Sequence, residues 1–116
     1  MIRKNARVIS KANGDVLEAA IVGEIDHHGA FLLRDELDDA MISARPKCVN
    51  LDLSNVDFMD SSGLGVIMGR KTTADKIGAD FKIINPTTRV ARIIELAGLG
   101  KVVTIEYKNN RKGEVE

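Results

Sequence analysis

Apolar and polar positions alternate with a period of two at the start of the chain, then change to a helical period three times, with a short apolar run after each helix. The first strand is predicted around Arg7 to Ser10. Asn13-Gly14-Asp15 follows; Asn-Gly favours positive φ at both turn positions and so marks a hairpin. The second strand covers about Val16 to Val22, with Leu17, Ala19 and Ile21 on one face. A helix is predicted from about Gly29 to Ala44, its core stripe made of Leu33, Leu37, Ala40, Met41 and Ala44. Pro46 closes it, because a proline pushes its predecessor out of helical geometry. Cys48 to Leu53 is the third strand, with Val49, Leu51 and Leu53 on one side.

A second helix begins near Asp60-Ser61-Ser62. Leu64, Ile67, Met68, Ala74 and Ile77 share a face, and Gly78 is a C-terminal stop. Phe81 to Ile84 is the fourth strand. Asn85-Pro86 is predicted to be an N-cap and a first-turn proline. The third helix turns Val90, Ile93, Ile94 and Ala97 inward. Gly98 ends it, and Leu99 packs back. The last strand is about Val102 to Ile105. The order ββαβαβαβ predicts an α/β fold: a mainly parallel sheet of about five strands, one antiparallel edge strand and three to four helices. Residues 1–107 are expected to form one domain, and the polar tail 108–116 is expected to fray.

Composition narrows the function. Lys and Arg number 17, as do Asp and Glu, so net charge is zero. A polybasic nucleic-acid binder is excluded, since phosphate neutralisation needs excess positive charge. No membrane span is expected, for want of a long apolar run, and Met1 to Asn13 lacks the apolar core of a secretory signal. Cys48 is the only cysteine. An internal disulfide and a Cys-rich zinc site are therefore excluded, and the expected place is a reducing cytoplasm. A monomer is the default for a neutral domain without a heptad seam.

Two segments stand out. Asp57-Phe58-Met59-Asp60-Ser61-Ser62-Gly63-Leu64-Gly65 lies between a strand and a helix, where open α/β sheets meet their ligands. One reading is an N-cap, with Asp60 or a serine accepting from first-turn amides. A P-loop is excluded, because no lysine follows a Gly-x-x-x-x-Gly pattern. A nucleophilic serine lacks the Gly-x-Ser-x-Gly context, and only His27 or His28 could act as a histidine base. A phosphorylated serine is a further reading. Phosphate adds about −1.5 to −2 charges, and a helix N-terminus tolerates them. Weak nucleotide binding would use the same amides. The second segment, Gly23-Glu24-Ile25-Asp26-His27-His28-Gly29, also joins strand to helix. Adjacent histidines rarely aim at one ion, so no metal is expected. Asp26 is a good cap, and it lies near the serine segment if the second and third strands are parallel neighbours. Helix one is acidic outside through Asp35, Glu36, Asp38 and Asp39. Arg70, Lys71 and Lys76 on helix two, with Arg89 and Arg92 on helix three, are expected to be solvated.

The stretch from Asp57 to Arg70 resembles the signature of the STAS domain (sulphate transporter and anti-sigma factor antagonist). Gly23-Glu24-Ile25-Asp26-His27-His28, together with Gly69-Arg70, resembles the branch of sporulation anti-sigma-F factor antagonists. The resemblance spans nearly the whole chain. It implies the STAS fold and a regulatory circuit. In that circuit the unphosphorylated antagonist binds an anti-sigma factor that is also a serine kinase, and sigma factor is released. The kinase uses ATP and Mg²⁺ to phosphorylate the first serine of Asp-Ser-Ser, here Ser61, and a PP2C-type phosphatase reverses the step. The antagonist itself would need no cofactor and no catalytic residue. Asp26, His27, His28, Asp60, Ser62, Gly63 and Gly65 would surround the phosphosite and meet the partner. Gly29-Ala30-Phe31 stands where the family often has Thr-Ala-Glu, so Phe31 is expected to be exposed. The alternatives are a STAS protein of another circuit, in general stress response or beside a transporter, and a small enzyme that uses Ser61 and a histidine.

Overall fold

β1 (Arg7–Asn13) and β2 (Val16–Ile25) pair antiparallel, with Asn13 opposite Val16 and Gly14 turning between them at φ 63°. The computed structural model describes residues 5–109. After the hairpin come α1 (His27–Ala44), β3 (Cys48–Met59), α2 (Ser61–Ile77), β4 (Asp80–Ile84), α3 (Thr88–Leu96), a 3₁₀ turn (Leu99–Lys101) and β5 (Thr104–Glu106). The sheet order is β1-β2-β3-β4-β5, and every pair after the first is parallel. This is the predicted architecture.

Each crossover steps one strand onward in the same direction, and right-handed connections then set the helices on one face. There Leu17, Ala19 and Ile21 of β2, Val49, Leu51 and Leu53 of β3, and Phe81 and Ile83 of β4 meet Leu33, Leu37 and Met41 of α1, Val66, Ile67 and Ala74 of α2, and Val90 and Ile94 of α3 in one core. The other face is polar. Asn50 Nδ2 donates to Glu18 Oε2 across neighbouring strands (3.2 Å), and Lys82 pairs with Glu106 at 3.2 Å.

Several expectations need correction. β3 runs to Met59, so Asp57-Phe58-Met59 is strand rather than loop. Its pairing with β2 contains two bulges, and the buried positions pass from a spacing of two (Val49, Leu51, Leu53) to three (Val56, Met59). An extra residue at each bulge breaks the alternation by which a strand is recognised. α1 begins at His27, two residues before the expected Gly29. Thr87, not Asn85, caps α3, accepting from Val90 N. Asn85 sits at φ 50° and bonds the Lys108 backbone twice, at 2.7 and 2.9 Å. Proline at 86 disfavours helical geometry at residue 85, and asparagine tolerates the left-handed region. β5 is shorter than predicted, and Ala97 is exposed. Arg70 is buried rather than solvated, and its Nε lies 2.9 Å from Asp38 Oδ1 of α1. Of the predicted α2 face, Ile67 and Ala74 are buried, while Leu64, Met68 and Ile77 are half-buried. Of the tail expected to fray, Lys108 is held by Asn85, and residues 110–116 lie outside the described residues.

Candidate functional site

β2 and β3 end side by side, with Ile25 opposite Met59. The Asp60 amide donates to Ile25 O at 3.1 Å, which closes the ladder one residue beyond the strand. Each strand then delivers an aspartate as N-cap of the helix it enters. Asp26 Oδ1 accepts from the amides of His28 and Gly29, both at 3.0 Å. Asp60 Oδ1 accepts from the Ser62 amide at 2.8 Å and, in a short bond, from the Ser62 hydroxyl. Two helix N-termini are thereby brought together at the carboxyl edge of the sheet, and the two segments singled out in the sequence are adjacent in space.

The serines differ. Ser62 spends its hydroxyl on Asp60, whereas Ser61, the first residue of α2, is exposed and makes no side-chain hydrogen bond among the described residues. The Ser62 hydroxyl, helped by the Ser62 and His27 amides, holds the Asp60 carboxyl below the usual range; burial and the nearby Asp26 charge push the other way. A depressed carboxyl stabilises the fold above its unfolded pKa, and that contribution is lost as pH falls through the folded value. A free aspartate carboxyl titrates near 3.8, and the folded value lies below it. Acid unfolding of the wild type should therefore show a component below about pH 4 that Asp60→Asn lacks, since asparagine still caps but does not titrate. Superimposable acid transitions would refute this.

Gly63 is buried and Gly65 exposed, for different reasons. A Cβ on Gly63 would lie 2.1 Å from Met59 Cγ and 3.4 Å from Ile25 Cγ2, so α2 sits tight on the strand ends only with glycine there. A Cβ on Gly65 would meet nothing within 4 Å. Gly65 instead lines an open groove of about 570 Å³ between α1 and α2, along with His27, His28, Ala30, Phe31, Arg34, Ser62 and Val66. The two imidazoles stack, with centroids 4.3 Å apart. Phe31 is 65% exposed, and the Arg34 guanidinium lies 4.8 Å from its ring centre. Sequence reasoning did not single out Arg34. The signal was available: positions 27, 30, 31 and 34 fall on one helical face. Cys48 stands at the opposite end of β3, and among the described residues no cluster of three or more His, Cys, Asp or Glu could hold a metal ion. No helix among them is long and apolar enough to cross a membrane.

What this arrangement offers is an exposed hydroxyl on a rigid helix start, beside a groove with a basic and aromatic wall. Among the described residues, no histidine is hydrogen-bonded to the Ser61 hydroxyl.

Residues 7–111 match the STAS domain. The chain is 33% identical over 105 residues to the anti-sigma F factor antagonist of Paenibacillus polymyxa, covering 90% of this chain and 89% of that protein. It is 31% identical over 105 residues to the anti-sigma-B factor antagonist of Bacillus subtilis (strain 168), covering 90% and 94%. The unphosphorylated form of the anti-sigma factor antagonist SpoIIAA superposes with a TM-score of 0.77 at 20% identity, covering 95% of this chain and 100% of that one, a likeness of fold.

Proposed function

The chain belongs to the STAS domain family, and on that premise we propose that it is an anti-sigma factor antagonist switched by phosphorylation of Ser61. Unphosphorylated, it binds an anti-sigma factor serine kinase, and sigma factor is released to start transcription. The kinase moves the γ-phosphoryl group of ATP, with Mg²⁺, onto Ser61 Oγ, releasing ADP and the hydroxyl proton. A PP2C-type phosphatase hydrolyses the ester, returning Ser61 and inorganic phosphate. The antagonist is a substrate in this scheme, not an enzyme.

The observation that carries the reading is the contrast between the two serines. Ser61 presents a free, exposed hydroxyl, whereas Ser62 is engaged by Asp60. Phosphate on Ser61 meets a helix N-terminus that favours negative charge, so the fold survives modification. A docking partner meets a new dianion beside Asp60 that it must desolvate. A tenfold loss of affinity needs only about 1.4 kcal/mol, less than the cost of burying an uncompensated charge.

Intact mass after incubation with ATP, Mg²⁺ and the candidate kinase should rise by one phosphate, and Ser61→Ala should show no gain. Ser61→Ala should keep its affinity for the anti-sigma factor, while Ser61→Asp should lose about tenfold or more. Equal binding by both variants sinks the switch. A second reading, an antagonist of the general stress circuit, is favoured by the near-equal identity to the anti-sigma-B factor antagonist. Binding to one anti-sigma factor and not the other decides between them.

A further inference from the structure

The groove between α1 and α2 is lined by His27, His28 and Arg34 and by no carboxylate, although the whole chain has as many acidic as basic residues. Asp26 and Asp60, which cap the two helices beside it, accept from amides at the helix starts. Arg34 has no carboxylate within ion-pair distance among the described residues; its recorded contact is the face of Phe31. A guanidinium stacked on an exposed ring is free to exchange that contact for a stronger one, and bidentate hydrogen bonds to a phosphate are stronger. Ser61 stands one helical turn before Gly65, which helps to line the groove, so their backbones are neighbours on one face. Gly65 leaves that face clear, with open space where a side chain would begin.

Resting on the reading of Ser61 as the modified residue, we infer that its phosphoryl group turns into this groove and is held there by Arg34 and the His27–His28 pair. Phosphorylation then does two things. It adds charge at the rim, and it fills the groove from within, using basic groups that would otherwise face the partner. The tether makes the phosphate's effective concentration high, so modest donors suffice. Glu24 and Asp57 near the strand ends, and Asp35 and Asp38 of α1, do not line the groove.

The phosphate titration needs neither kinase nor partner, and the anti-sigma factor is used only in the binding comparisons. Protein carrying phosphoserine at position 61, incorporated during translation, is titrated by ³¹P NMR. It is compared with phosphoserine-61 protein that also carries Arg34→Gln, and with the triple variant His27→Gln/His28→Gln/Arg34→Gln. Opposite charge nearby lowers an acid's pKa, so the phosphate's second pKa should rise by about one unit in the triple variant and by part of that in Arg34→Gln. The Arg34 Nε resonance should also move when Ser61 is phosphorylated. Phosphate titrations that coincide in parent and triple variant overturn the seat. So does an unchanged phosphate pKa accompanied by lost binding of the unphosphorylated triple variant to the anti-sigma factor, which would assign the groove to an acidic segment of that partner. If phosphoserine-61 protein binds the anti-sigma factor as tightly as unmodified protein, the switch itself fails, and the NMR result still decides where the phosphate lies.

Discussion

Asp38→Ala is expected to lower the free energy of unfolding by about 3 kcal/mol, the low end of the cost of breaking a buried ion pair. The Arg70 side chain is 7% exposed and lies on α2, facing α1. Asp38 Oδ1 is 2.9 Å from its Nε, and the Thr73 hydroxyl is 3.1 Å from the same carboxylate oxygen. Burial lowers the Arg70 pKa, and Asp38 opposes that. Removing Asp38 strands a guanidinium that cannot shed its proton and whose Nε and Nη1 make no hydrogen bond even in the intact protein. The loss stays at the low end because Asp38 itself is 32% exposed, so water screens one side of the pair. Urea denaturation measures the loss. Asp38→Ala/Arg70→Met should recover much of it, since an apolar replacement for both partners removes the stranded charge. A single variant within about 0.5 kcal/mol of wild type would mean that the pair is a surface contact in energetic terms.

Arg70 also shows where the sequence was legible and where it was not. A basic residue among Lys71 and Lys76 on one helix, facing Asp35 to Asp39 on another, has the pattern of two solvated faces. Nothing in either helix's own periodicity says that residue 38 meets residue 70; that is a property of how α1 and α2 lie on the sheet. Features governed by local chemistry were legible: the Asn-Gly turn, the Asp26 cap, Gly78 and Gly98 at positive φ after their helices, and the strand–helix alternation that makes the sheet mainly parallel. Features governed by pairing between distant strands were not. The last six residues of β3 look like loop because bulges against β2 spoil their alternation. The adjacency of the two aspartate segments was inferred conditionally, from parallel pairing of the second and third strands, and that pairing is present. What separates Ser61 from Ser62 is the rotamer by which Ser62 reaches back to Asp60, which identical residue types in sequence cannot reveal.

Gly63→Val is the other large effect, expected to cost about 3 kcal/mol through overpacking. The first carbon of any side chain at 63 would lie 2.1 Å from Met59 Cγ and 2.5 Å from its Sδ. Met59 is 1% exposed and Ile25 fully buried, so neither can swing into solvent to make room. The helix must lift instead, and the part that lifts is its first turn, which carries Ser61 and is anchored to the sheet through Asp60 N and Ile25 O. The same substitution at Gly65 meets no atom within 4 Å of the new Cβ and should leave stability within about 0.5 kcal/mol of wild type. Two valines, two residues apart on one helix, therefore separate two demands on α2. Gly63 is required by the core, and its loss should appear as an earlier denaturation midpoint together with slower phosphorylation of Ser61. Gly65 is required by neither core nor backbone. Gly65→Val should fold normally while narrowing the groove, so any loss it causes in partner binding or in phosphate seating is a loss at the surface. Equal stability of Gly63→Val and Gly65→Val would refute the tight seating of α2 on the strand ends, and with it the argument that a rigid helix start presents Ser61.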